Sequence, residues 1–312
     1  SVYPEVQELI ERECAVDVFG YLPPMPGCGF ESRHLGLVTA REISRLREKL
    51  DRLAEQAEQT IDLDGLVAAA QNASTLLYQP LALEPVNGTP RIAVAHDAAF
   101  SFYYADSLAL LQLLGAELVW FSPLADRSIP FDCDGLLLGG GYPELHLPEL
   151  AANQSLLADL RSRLLAGLPC YAECGGFIYL GRSMTMQGER YPLAGVFPFD
   201  FAMTSSLQHF GYMQAEIAPG TPLTYGESQP LVVRGHEFHY TQRQEPTEPA
   251  EPAWPACYQV HKPAAPGRSW QEGWHVQNTL GAYPHFNFWA QPRAAKNFLQ
   301  LAADWQRQGV MM

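Results

Sequence analysis

Between residues 91 and 174, apolar runs of two lengths alternate along the chain. "RIAVAHD" (91–97), "ELVWFSP" (117–123), "CDGLLLGGGYPE" (133–144) and "LPCYAEC" (168–174) have the length and β-branched or apolar content of buried strands. "YYADSLALLQLLGA" (103–116) and "LPELAANQSLLADLRSRLLAG" (147–167) have helical length and spacing. Strands that alternate with helices in this way pair in parallel, and the helices cover both faces of the sheet. Ligand crevices in such folds lie at the carboxyl edge of the strands.

On either side the pattern differs. Residues 4–14 predict a helix, "AVDVFGYLPPMPG" (15–27) a buried strand ending in a proline-rich loop, and 62–73 a short helix. The stretch 39–61 predicts a longer helix, with Thr39 as N-cap and Glu42 three residues on. "LALEPVNGTP" (81–90) has the composition of a linker. We therefore expect a first region at 1–80, a linker at 81–90 and a main domain at 91–312. From about residue 190 the chain is strand-rich, interrupted by "QRQEPTEPAEPAWP" (242–255), a polar proline-rich surface loop, and closed by a helix at 293–308. The chain opens at Ser1 rather than Met, beside a helix-like stretch, and is expected to be a piece of something longer.

Composition narrows the function. The 312 residues carry a formal charge of −14, which argues against nonspecific nucleic-acid binding, since that needs a basic surface. No apolar run is long enough to span a bilayer, and the N-terminus is too acidic for a signal peptide. Six cysteines without dense, regular spacing fit a reduced, cytoplasmic chain better than a disulfide scaffold. Cys170 and Cys174 lack the second close pair that a zinc site needs, so no metal ligand set is assigned.

Three constellations carry chemistry. In "YAECGGFIYL", Cys174 ends a strand and precedes two glycines. A strand that turns at once into a helix can expose its turn residue as a nucleophile, provided small residues stand two before and two after it; here they are Ala172 and Gly176. The helix N-terminus would favour the thiolate. A buried structural cysteine is the plainer alternative. In "LLLGGGYPE" (136–144), glycines after a buried strand leave amides that could hold an oxyanion; a tight turn is the plainer reading, and no Gly-Lys-Ser/Thr phosphate loop exists. A cysteine nucleophile needs a base, and His285 in "LGAYPHFNF" competes with His236 and His239 in "RGHEFHYT". As a strand, the latter places Glu237 and His239 on one face and His236 on the other, a poor metal chelate and a better polar cluster lining a pocket.

Taken together, the segment 91–126, "LLLGGGYPELH", "LPCYAECGGFIYLG", "RGHEFHYT" and "GAYPHFNFWAQP" resemble the cobyrinic-acid amidase branch of the class I glutamine amidotransferases. The resemblance covers nearly all of residues 91–292. "ESRHLGLVTARE" (31–42) resembles the end of that branch's P-loop-type, dethiobiotin synthetase-like domain. The implied fold is an α/β, flavodoxin-like amidotransferase domain with a parallel or mixed sheet flanked by helices, preceded by the tail of the ATP-binding domain. The implied reaction hydrolyses L-glutamine through a cysteinyl thioester. The ammonia then amidates the a and c acetates of a corrinoid, cobyrinic acid, in a ligase step of cobalamin synthesis. Carried over by position, Cys174 is the nucleophile, His285 its base, and Gly140, Gly141 and Gly175 the oxyanion hole. Tyr142, Glu237 and His239 are candidate glutamine or pocket contacts. No cofactor is expected in this chain; ATP and Mg2+ are expected to need the missing ATP-binding domain, and a homodimer is compatible.

Two departures stand out. Ala172 occupies a position that is often glycine in the wider class. Asn287 stands where that class has a glutamate two residues after the histidine, although this branch commonly lacks it. Two other readings stay open: the same chemistry on hydrogenobyrinic acid or nickel-sirohydrochlorin, and a non-catalytic binding module on the same sheet.

Overall fold

The computed structural model describes residues 2–30, 40, 43–244, 254–265 and 267–310. They fall into two compact units, Ser1–Leu81 and Ala82–Met312. The first holds α1 (Tyr3–Cys14), α2 (Leu46–Thr60) and α3 (Leu63–Gln71). Proline stands in the first turn of α1, where its missing N–H costs nothing, and Asp62 caps α3 by accepting from Gly65 N–H at 2.9 Å. None of the three helices buries a residue. The strand expected at 15–27 is not formed. Its one pairing is an isolated bridge between Gly20 and Ile61, and Val16 and Leu22 are 53% and 51% exposed. Apolar alternation needs a neighbouring edge to become a strand, and the described part of this unit offers none. α2 begins at Leu46, after Arg45 in a left-handed conformation (φ 54°). Thr39, Glu42 and most of the 31–42 segment lie outside the described residues.

The second unit begins with irregular chain, yet Val86 is buried and its N–H donates to Leu114 O. The chain then runs through β1 (Arg91–Ala95), β2 (Phe100–Phe102), α4 (Ala105–Leu113), β3 (Glu117–Phe121), β4 (Gly135–Leu138) and β5 (Gly140–Gly141). Next come α5 (Leu147–Ala152), α6 (Gln154–Leu165), β6 (Cys170–Glu173) and α7 (Gly175–Tyr179). The helix expected at 147–167 is thus two, broken at Asn153, whose side chain donates to Pro123 O and Asp126 O and caps α6. Three short strands follow, β7 (Ser183–Met186), β8 (Glu189–Pro192) and β9 (Asp200–Met203). After them come β10 (His209–Ile217), β11 (Leu231–His239), β12 (Thr241–Gln244), β13 (Tyr258–His261) and β14 (Ser269–Glu272). β15 (Trp274–Val276), β16 (Thr279–Ala282), β17 (His285–Phe286) and α8 (Pro292–Val310) complete the chain. Part of the expected polar loop is therefore strand, since β12 pairs with β9; residues 245–253 lie outside the described residues.

The central sheet has the order β15-β16-β6-β4-β1-β3. Its neighbours pair in parallel, as the alternation predicted, except the β15–β16 hairpin at one edge, which makes the sheet mixed. Both faces are buried, and successive residues divide between two cores. Ala93, Leu136, Leu138, Cys170 and Ala172 face one; Ile92, Val94, Leu137, Tyr171 and Leu280 face the other. A second, antiparallel sheet has the order β14-β13-β10-β11-β17. The chain leaves the first sheet at Ala282 and enters the second at His285. That crossing sets His285 beside the carboxyl end of β6.

Candidate active site

Cys174 follows β6 directly and precedes α7 with no intervening loop. Its backbone stands at φ 47°, ψ −102°, a conformation that costs a side-chain-bearing residue about 1–3 kcal/mol. Neighbouring strands hold the turn. Cys174 N–H donates to Ala282 O at 2.8 Å, and Gly176 N–H donates to Gly139 O at 3.1 Å. Gly176 approaches β4 so closely that a Cβ on it would stand 2.3 Å from Leu138 O. This is the small residue that the turn requires, and Ala172, fully buried, is its counterpart on the strand. The expected helix after the turn is only five residues long.

The thiol is partly exposed, whereas Cys133, Cys170 and Cys257 are buried. Burial raises those three, Cys257 to about 12, so they stay protonated at neutral pH.

His285 is 8% exposed and lies beside Cys174. Its ring rests on the glycine loop: a Cβ on Gly140 would stand 2.4 Å from His285 Cε1. On the other side the His236 ring stacks on it at 5.1 Å. Burial opposes a charge on His285, but the contacts with Cys174 and Glu173 outweigh it and raise the imidazole to about 10. The ring therefore holds its proton at neutral pH, facing the sulfur.

The structure brings Gly140, Gly141 and Gly175 to the same place. A Cβ on Gly175 would stand 3.3 Å from Gly141 N. Gly175 opens α7, where an amide has no intrahelical acceptor. Gly140 and Gly141 form β5 and pair with β2. Tyr103 pins the loop before them: its hydroxyl accepts from Gly139 N–H at 2.9 Å and donates to Ala95 O.

Among the other candidates, Tyr142 is buried, donates its N–H to Ala99 O at 3.0 Å and packs edge-on against Phe102. Glu237 and His239 share a face of β11, as alternation predicts, and meet each other at 2.8 Å. They are buried, 1% and 6% exposed, rather than lining an open pocket. His239 Nδ1 bonds Thr241 O, and its ring stacks on Tyr283 at 3.7 Å. Burial pushes Glu237 up to about 7 and His239 down to about 4. His236, the rival base, bonds the Tyr104 hydroxyl through Nδ1 at 3.1 Å. Burial and the charge of His285 lower it, so it stays neutral.

Sequence reasoning missed Glu173. It is 8% exposed, and its Oε2 lies 3.5 Å from His285 Nδ1. A glutamate at the end of a strand buried on both faces was the available signal, because such a charge needs a partner. Asn287, in contrast, faces elsewhere. Its Oδ1 accepts from Trp289 N–H at 2.9 Å and its Nδ2 donates to Asp106 at 3.1 Å. Among the described residues, no group of three His, Cys, Asp or Glu side chains is arranged to hold a metal ion, and no helix is long and apolar enough to cross a membrane.

Chemically, the arrangement joins a strained, accessible thiol, a charged imidazole and a glycine cradle at the carboxyl edge of a parallel sheet. That set suits acyl transfer through a thioester. The chain is 34% identical over 308 residues to a cobyrinate a,c-diamide synthase of Caldanaerobacter subterraneus subsp. tengcongensis, covering 98% of this chain and 66% of that protein. It is 38% identical over 308 residues to one of Salmonella typhimurium, covering 96% and 64%. The chain thus spans less than two thirds of the length of these curated relatives. Among solved structures, PurLQS from Thermotoga maritima is similar at 16% identity and a TM-score of 0.49, covering 70% of this chain and 99% of that one. Residues 91–293 match the CobB/CobQ-like glutamine amidotransferase domain, and the chain belongs to that family.

Proposed function

We propose that Cys174 and His285 hydrolyse L-glutamine, and that the ammonia serves an ATP-dependent amidation of the a and c acetate side chains of cobyrinic acid. The observation that carries the first half is the placement of a thiol on a strained turn beside a buried imidazole that rests on a glycine loop. The thiolate attacks the side-chain amide carbon of glutamine. The negative charge that develops on the amide oxygen is met by the Gly175 amide and by the Gly140–Gly141 segment. His285 gives its proton to the departing nitrogen, and ammonia leaves. The now neutral imidazole takes a proton from water, which attacks the thioester. Glutamate leaves, the thiolate returns, and His285 is charged again.

The second half rests on the relatives' name, cobyrinate a,c-diamide synthase, and on their greater length. ATP and Mg2+ do not fit the residues in hand: there is no phosphate loop in the sequence and no metal-ligand group among the described residues. Activation of the carboxylate is therefore assigned to further chain of the full-length protein. The first unit is read as the tail of that ATP-binding domain. Its helices bury nothing, and Val6, Leu9, Leu50 and Val67 stand exposed, as on elements that need a larger body to cover them.

The test is glutamine hydrolysis by Cys174→Ser and Cys174→Ala. Both are expected to lose it while keeping a cooperative unfolding transition; unaltered hydrolysis in either overturns the assignment. For the acceptor, the full-length protein is offered cobyrinic acid, hydrogenobyrinic acid and nickel-sirohydrochlorin in turn with ATP. A diamide formed fastest from cobyrinic acid is expected, and preference for another tetrapyrrole overturns that half.

A further inference from the structure

We propose that Glu173, the residue immediately before the nucleophile, is the positioning carboxylate that orients His285 and holds its charge, in place of a group at position 287. This inference rests on the reading of Cys174 and His285 as nucleophile and base.

The geometry gives each oxygen of Glu173 a separate task. Oε1 accepts from the Tyr171 hydroxyl at 2.7 Å and from Phe286 N–H at 3.0 Å. Oε2 is left to face His285 Nδ1 at 3.5 Å. Phe286 is the residue after the base, so the same carboxylate grips both the backbone and the ring of the β17 strand. Tyr171 and Glu173 are two apart on β6 and share a face, whereas the turn at Cys174 throws the sulfur out of that alternation. Consecutive residues can therefore reach one imidazole from different directions. With Nδ1 turned to the carboxylate, Nε2 is the nitrogen left for sulfur, and when the ring gives up a proton the neutral form keeps its hydrogen on Nδ1.

Electrostatics point the same way. A buried carboxylate without a cation is costly, and among the described residues no Lys or Arg pairs with Glu173. The imidazolium of His285 is the positive charge it meets. The titratable groups facing that ring are Glu173 and Cys174 from the β6 side and His236 from β11, with Glu237 farther along the same strand. His236 is neutral beside it and cannot supply the stabilising charge. Asn287 is committed to Trp289 and Asp106 and makes no contact with the ring among its hydrogen bonds.

Glu173→Gln keeps the shape and one acceptor but removes the charge. Losing the group that fixes a base's tautomer costs roughly 10²–10⁴-fold in kcat. The expected result is a kcat for glutamine hydrolysis at least about 10²-fold lower with KM little changed. The His285 titration, followed by NMR, is expected to move down by about one unit or more. Glu173→Asp, still charged but shorter, is expected to keep most of the titration shift while losing part of kcat. An unchanged kcat together with an unchanged His285 titration in Glu173→Gln overturns the proposal. If that variant does not fold, Glu173→Asp decides: full activity there shows that the carboxylate's position is irrelevant and overturns it equally. Cys174→Ala separates the two levels. Hydrolysis surviving in Cys174→Ala removes the underlying reading; hydrolysis lost in Cys174→Ala but intact in Glu173→Gln removes only the role of Glu173.

Discussion

Replacing Cys174 by alanine and by glycine separates the strain of the turn from the chemistry of the sulfur. Both variants lack the nucleophile, so both are inactive, and their difference in stability reports the backbone. At φ 47° and ψ −102° a residue with a Cβ bears about 1–3 kcal/mol of strain, which glycine does not. Against this, glycine loses about 0.5–1 kcal/mol more conformational entropy on folding than alanine. It also forfeits the burial of one methyl, at most about 0.8 kcal/mol and less here because the site is only partly buried. The balance is about 1 kcal/mol in favour of glycine. For a body of this size that is roughly 2–4 °C in Tm, measurable by scanning calorimetry and by urea midpoints. At ordinary sites the order is reversed. Alanine equal to or more stable than glycine at position 174 would refute the claim that the nucleophile sits on a strained turn.

Three further substitutions follow from the packing. Gly140→Ala places a methyl 2.4 Å from His285 Cε1, so the ring must shift, and a displacement of about 1 Å costs on the order of 10²-fold in hydrolysis. The fold is expected to survive, since the obstacle is a side chain. In Gly176→Ala the obstacle is the backbone carbonyl of Leu138, 2.3 Å from the new methyl, so urea denaturation should show a markedly larger loss of stability than for Gly140→Ala. Glu272 is raised to about 7 by burial and then by the neighbouring Glu237. Its folded state holds the proton more tightly than the unfolded chain, so its contribution is present at low pH and lost as pH rises through about 7. Glu272→Gln removes that loss, and its stability relative to the native protein should grow by an order of 2 kcal/mol between pH 5 and 8. Parallel stability curves for the two proteins would contradict this.

The central sheet was legible because β1 and β4 are buried on both faces. A strand in that setting is a near-continuous apolar run, and the sequence around residues 92–95 and 135–138 shows it. The elbow was legible too, since its needs are local: a strand end, the nucleophile and small residues two away. What was not legible depended on partners distant in sequence. Residues 15–27 carry strand-like apolar content, but content cannot say whether a second edge stands beside them, and here only Ile61 does. β7, β8 and β9 are short and mix polar with apolar residues, so no period announces them. Glu173 is the instructive case at the site. In the sequence it is one acid next to a cysteine; its meaning appears only when β17, 113 residues on at Phe286, arrives with a backbone N–H and an imidazole. Asn287 misleads for the same reason, because its partners Asp106 and Ser107 lie on α4.

The most direct measurement is mass spectrometry of the protein after exposure to 6-diazo-5-oxo-norleucine, a glutamine-like electrophile, with and without free glutamine. One adduct is expected, on Cys174, and free glutamine suppresses it. An adduct on another cysteine, or one on Cys174 that glutamine does not suppress, would contradict the claim that this thiol is the nucleophile of a glutamine site.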